Sequence, residues 1–133
     1  MTVLVDTHIL LWWVSGDAQL STSAKQTIET TLKSDDEVLV SSMSAWEVAM
    51  LVEKGRLVLT MDVAQWFEHV KRIDGLRMVP VDETVGILST QLPGEFHKDP
   101  ADRMIVATAR KFAIALVTAD EKILAYTHVK TIP

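Results

Sequence analysis

Val3-Leu4-Val5-Asp6 begins the chain with an apolar run that stops on a carboxylate. The pattern returns further on: Val38-Leu39-Val40 leads through Ser44-Ala45-Trp46 to Glu47, Asp102 ends Asp99-Pro100-Ala101-Asp102, and Leu116-Val117-Thr118-Ala119 runs into Asp120. In an open parallel sheet the side chains that follow the strands gather at one edge, near the topological switch point. Asp6, Glu47, Asp102 and Asp120, far apart in sequence, are therefore expected to meet in space. Like charges packed together are unfavourable, so such a cluster either raises its own pKa values or holds a cation. Hard oxygen donors favour Mg2+ or Mn2+.

Outward from these runs, strand and helix alternate. The pattern predicts strands at 2–6, 37–42, 76–81, 114–118 and 128–132, and helices at 7–14, 22–33, 45–54, 62–73, 83–91 and 100–112. Val63, Trp66, Phe67 and Val70 carry the i, i+3, i+4, i+7 spacing of one buried helix face. Gly55 stops the third helix, Asp74-Gly75 turns the chain, and Leu92-Pro93-Gly94 ends the fifth. Strands separated by helices imply parallel pairing and right-handed crossovers, hence an α/β/α sandwich with a central, mainly parallel sheet.

A length of 133 residues fits one domain over 1–133. With 48% hydrophobic and 23% charged residues the composition is that of an ordinary globular protein. There is no cysteine, which excludes disulfides, thiolate metal sites and cysteine nucleophiles, and a reducing cytoplasm is the expected setting. No basic segment precedes the first apolar run, and Ile9 to Val14 is too short to span a bilayer, so no membrane association is expected. A net charge of −5 repels polyanions at long range. A nucleic-acid role therefore needs local cations, among which Lys54, Lys98 and Arg103 are candidates beside the acids.

Each acid also has an ordinary explanation. Ser44-Ala45-Trp46-Glu47 fits a capping box, and Asp99 before Pro100 fits an N-cap with proline at the first helical position. Capping alone accounts for Glu47 and Asp102, whereas Asp6 and Asp120, set deep behind apolar runs, resist that reading better. Asp82 has a similar setting and is expected to cap the helix near Glu83. Asp99 is read as a cap ahead of a direct metal contact. His8, His69, His97 and His128 lack zinc spacing and are read as non-ligands, His97 as a surface histidine. Trp12, Trp13, Trp46 and Trp66 are read as core or partner packing rather than base-stacking platforms, with at least one of the adjacent pair exposed or in an interface. Neither a serine-hydrolase elbow nor a glycine-rich phosphate loop is present.

In order and context these segments resemble a PIN domain, and specifically the VapC-type ribonuclease toxins of type II toxin–antitoxin systems. The resemblance covers nearly the whole chain. Val5-Asp6-Thr7-His8-Ile9-Leu10-Leu11-Trp12 is similar to the family's first strand and first acid. Ser41-Ser42-Met43-Ser44-Ala45-Trp46-Glu47-Val48-Ala49 resembles the segment of its glutamate, with Lys54-Gly55-Arg56-Leu57 as the turn that follows. His97-Lys98-Asp99-Pro100-Ala101-Asp102-Arg103 resembles the H-x-D-P-x-D-R segment, and Leu116-Val117-Thr118-Ala119-Asp120 the one bearing the fourth acid. Ala101 stands where a bulky aromatic is common and Met50 where a lysine often follows.

The resemblance implies Mg2+- or Mn2+-dependent hydrolysis of RNA, with transfer or ribosomal RNA as plausible substrates. Asp6, Glu47, Asp102 and Asp120 would hold the metal directly or through water. Asp99, Thr118 and Arg103 are supporting candidates: Thr118 to bond a ligand water or steady Asp120, Arg103 to guide RNA. It further implies a homodimer and a cognate antitoxin covering a hydrophobic groove near Trp12, Trp13, Trp46 and Met50. The alternatives are a non-catalytic PIN-like module that binds RNA or protein, a phosphoryl-transfer domain built on Asp6, and cleavage of DNA.

Overall fold

The apolar runs pair side by side because buried backbone N–H and C=O groups must find partners in neighbouring strands, while helices cover the two apolar faces. In the computed structural model, which describes residues 1–133, the strands are β1 (Val3–Val5), β2 (Val38–Ser41), β3 (Leu76–Val79), β4 (Ala115–Val117) and β5 (Thr131–Ile132). They form one sheet in the order β3-β2-β1-β4-β5, every pair parallel. The helices are α1 (Thr7–Ser15), α2 (Thr22–Lys33), α3 (Ser42–Glu53), α4 (Val63–Lys71), α5 (Glu83–Ser89), α6 (Pro100–Phe112) and α7 (Glu121–Leu124).

Register sorts the strand side chains into two cores. Val3 and Val5 lie level with Val38 and Val40 on one side and with Ala115 and Val117 on the other. These residues pack with Ile9, Leu10, Ile28, Trp66, Phe67 and Val70 from α1, α2 and α4. Because successive strand side chains point to opposite faces, Leu4, Leu39 and Leu116 enter the second core, with Val85, Ile105, Val106 and Ile123 from α5, α6 and α7. The expected α/β/α sandwich is what forms, with a sheet that is parallel throughout.

Several boundaries differ from expectation for local reasons. α3 starts at Ser42 because the Ser41 hydroxyl accepts the Met43 N–H at 3.0 Å and caps the helix there. α7, only Glu121–Leu124, is shorter than any window in which a 3.6-residue period is visible. β5 is confined to Thr131–Ile132 rather than 128–132. The Asp74-Gly75 turn is as expected: Gly75 has φ +86°, and a β-carbon there would lie 2.9 Å from Leu32 Cδ2. Asp82 caps α5 through the Val85 N–H at 2.9 Å, also as expected. No helix is long and apolar enough to cross a membrane.

The topology fixes where a site belongs. β1 sits in the middle, its successor β2 on one flank and the late strand β4 on the other, so the switch point lies at the carboxyl ends of β1 and β4. Asp6 follows β1, and Thr118 to Asp120 follow β4, at that edge. α3 departs from the same edge after β2, and α6, which leads back to the start of β4, begins there.

Candidate active site

Asp6 is buried, and its two oxygens have separate tasks. Oδ1 accepts the Thr7 N–H at 2.8 Å, capping α1, and Oδ2 accepts the Thr118 hydroxyl at 2.7 Å. The Thr118 oxygen in turn accepts the Asp120 N–H at 3.1 Å. One fully buried hydroxyl therefore ties the end of β1 to the loop after β4. Asp120 caps α7, Oδ1 accepting the N–H groups of Lys122 and Ile123 at 2.9 and 3.2 Å. Glu47 accepts the Thr7 hydroxyl at 2.7 Å, and Ser44 Oγ lies 2.8 Å from that same hydroxyl. Since Thr7 has one proton and gives it to Glu47, Ser44 is the donor in the second contact.

The capping expectation is inverted. Asp6 and Asp120, which the sequence marks as less suited to capping, both cap helices. Glu47 does not: with Ser41 as the cap, it lies in the second turn of α3 and reaches across to α1. Asp102 does not either, because Asp99 caps α6 by accepting the Asp102 N–H at 2.9 Å. Glu47 is thus an acid that no helix end accounts for, while Asp102 sits in the first turn of α6 without capping it.

Burial, with repulsion between the acids behind it, raises three of the four carboxyls. Burial raises the Asp6 carboxyl above its usual range, against the lowering effect of Thr118, Thr7 and His8. Burial also raises Glu47, with repulsion from Asp6, Asp99 and Asp120 adding to it. Asp102 is pushed up to about 7, first by burial and then by Asp6, Asp99, Asp120 and Glu47. The carboxylates share one cleft without closing into a cage: no group of three or more His, Asp or Glu side chains is drawn together tightly enough to hold an ion. Like charges in a part-buried cleft repel, which favours that spacing. An all-oxygen donor set of this kind suits Mg2+ or Mn2+, and Mg2+ characteristically takes one or two carboxylates and keeps several waters.

The profile of the PIN domain matches residues 3–129. The chain belongs to the PIN domain family. It is 35% identical over 127 residues to Ribonuclease VapC22 of Mycobacterium tuberculosis, covering 96% of this chain and 93% of that one. Among solved structures it resembles VapBC2 from Rickettsia felis bound to a DNA fragment from the promoter, with a TM-score of 0.72 at 15% identity over 98% of this chain and 97% of that one. It also resembles Mycobacterium tuberculosis VapC20, a sarcin-ricin loop cleaving toxin, with a TM-score of 0.64 at 17% identity over 96% and 98% of the two chains.

Two expectations about this PIN domain are corrected by the geometry. Arg103 is not a free cation for RNA: Nε donates to Ser89 O at 2.7 Å, and Nη1 to Phe96 O and His97 O at 3.0 and 3.2 Å. A guanidinium committed to carbonyls fastens the loop between α5 and α6. His97 is not a surface histidine, since its side chain is 22% exposed and its Nε2 lies 3.0 Å from Asp102 Oδ2. Lys54 and Lys98 are exposed, as a substrate guide would be. Thr118 steadies Asp6 through its carboxylate and Asp120 through its backbone. The contacts of Thr7 with Glu47, of Ser44 with Thr7 and of His97 with Asp102 were not anticipated from the sequence. For Thr7 the signal was a hydroxyl immediately after a strand-end acid, and for His97 its place at the head of the H-x-D-P-x-D-R segment.

Beside the cleft lies an open apolar groove of about 900 Å³ between α1, the segment after α3 and α4. His8, Leu11, Trp12, Leu57, Val58 and Met61 line it, Val58 being 90% exposed. Trp66 is core, Trp12 and Trp13 pack partly buried against that core, and Trp46 is 53% exposed.

Proposed function

We propose that this PIN domain is a Mg2+- or Mn2+-dependent endoribonuclease toxin that hydrolyses phosphodiester bonds in RNA and is neutralised by a cognate antitoxin. The observation that carries the reading is the set of Asp6, Glu47, Asp102 and Asp120 at one sheet edge, where burial first and the neighbouring acids second raise the Asp102 carboxyl to about 7. Kinship with Ribonuclease VapC22 supports the choice of RNA. A structured transfer or ribosomal RNA is the substrate class we favour.

Asp6, Glu47, Asp102 and Asp120 would hold the divalent ion, which when bound would lower the pKa of a water and offset charge on the phosphate. The protein's own part is placement. Asp6 is held by Thr7 and Thr118, and Glu47 by Thr7 and through it by Ser44, so both carboxylates are fixed before substrate arrives. Asp120 keeps its second oxygen clear of the α7 cap and can turn it to the cleft. Lys98, exposed next to Asp99, draws the phosphate backbone to a cleft that would otherwise repel it.

The antitoxin reading assigns the apolar groove to an apolar segment of that partner, with His8 at the end nearest Asp6. A homodimer belongs to the same reading, and exposed Trp46 suits such an interface. The test is cleavage of total RNA by the purified protein. We expect EDTA to stop it, Mg2+ or Mn2+ to restore it, and Asp6→Asn to abolish it while the far-ultraviolet spectrum stays unchanged. Full cleavage in chelator, or by the Asp6→Asn protein, would refute the proposal.

A further inference from the structure

Three of the four cleft acids are held by hydroxyl or backbone donors: Asp6 by Thr7 N–H and Thr118, Glu47 by Thr7, Asp120 by two N–H groups of α7. The Asp102 carboxylate has none of these. The nearest cationic or donor group to it is His97, whose buried Nε2 lies 3.0 Å from Oδ2 but makes no aligned hydrogen bond to Asp102 or to any other group. A buried polar atom without a partner costs free energy, so its placement against Asp102 needs a reason.

The loop that carries His97 is fastened with unusual care. Arg103, the residue after Asp102 in α6, binds the carbonyls of Phe96 and His97 as well as Ser89 at the end of α5. The Phe96 ring meets the imidazole edge to face at 4.4 Å and packs on Tyr126 at 4.7 Å. Tyr126 is buried and its hydroxyl donates to Pro93 O at 2.5 Å. Each end of the loop and the His97 backbone are thereby tied to α5, α6 or the segment after α7. A ring fixed on its backbone and on one face has little freedom left except to present Nε2 to Asp102.

We propose that His97 is a positioning residue that aims the Asp102 carboxylate into the cleft, with Arg103, Phe96 and Tyr126 holding the imidazole in place. The proposal rests on the nuclease reading above, in which Asp102 belongs to the metal site. Groups that orient a ligating side chain are typically worth about 10- to 100-fold in metal affinity or activity. His97 is a positioning residue and not a catalytic one, because it reaches the cleft through Asp102.

The experiment measures Mn2+ binding by calorimetry and RNA cleavage in parallel for the wild-type protein, His97→Ala and His97→Gln, with thermal midpoints as the folding control. A glutamine amide can offer a donor near the Nε2 position. We expect His97→Ala to lose about 10- to 100-fold in Mn2+ affinity, and His97→Gln to recover most of it. Where the alanine protein does not fold, the glutamine protein still decides: near wild-type affinity upholds the assignment, and a loss of 10-fold or more overturns it. Wild-type Mn2+ affinity and cleavage in His97→Ala would overturn it as well. Wild-type protein that neither binds Mn2+ nor cuts RNA would sink the nuclease reading itself, a separate outcome.

Discussion

At the scale of single residues, the cleft acids are distinguished by what holds them. Asp6 caps α1 with one oxygen and accepts the Thr118 hydroxyl with the other, whereas Asp120 caps α7 through one oxygen alone. Asp102 ties the stability of the chain to pH. Its carboxyl has a pKa of about 7 in the folded chain against 3.8 for the free group. Between those values the folded state binds the proton more tightly than the unfolded one, so stability falls as pH rises from about 4 to about 7 and is level above. At about 1.4 kcal/mol for each tenfold difference in proton affinity, the loss is at most about 4 kcal/mol. Asp102→Asn in metal-free protein should therefore raise stability above pH 7 and change it little below pH 4. Urea unfolding at the two pH values checks this, and equal effects at both would contradict it. Asp6 and Asp120 were legible in the sequence behind apolar runs and Asp102 within Asp99-Pro100-Ala101-Asp102-Arg103, but the individual tasks of the acids were not. A cap depends on where a helix begins, and Ser41 rather than Ser44 begins α3.

At the scale of elements, parity along the strands determines which helices cover which face. Leu4, Leu39 and Leu116 form one buried row under α5, α6 and α7, with Val3, Val5, Val38 and Val40 on the opposite face under α1, α2 and α4. Leu116 is fully buried in the strand that leads to Thr118 and Asp120. Leu116→Ala should destabilise the fold by about 2–5 kcal/mol, measured by urea unfolding, and a loss under about 1 kcal/mol would show the row is not packed as described. The long helices and the central strands were readable because hydrophobic period and turn residues agree over many positions. α7 and the brevity of β5 were not, since four residues and two residues carry no period. The aromatic and arginine contacts that fasten the loop before α6 are tertiary, and nothing in the local sequence encodes them.

At the scale of the whole molecule, a chain of net charge −5 gathers acids at one sheet edge and sets an apolar groove next to them. Charge of that sign suits a polyanion poorly unless a cation intervenes in the cleft. His8 lines the groove and stands two residues after Asp6, so a partner lying against His8 would come near the first of the acids. Substrate access and inhibition would then compete for adjoining space. The most direct measurement is a crystal of the protein soaked in Mn2+ and recorded near the manganese absorption edge. The account predicts an anomalous peak in the cleft, bound by oxygens of Asp6, Glu47, Asp102 or Asp120 directly or through water. A crystal with manganese bound elsewhere and none in that cleft would contradict it.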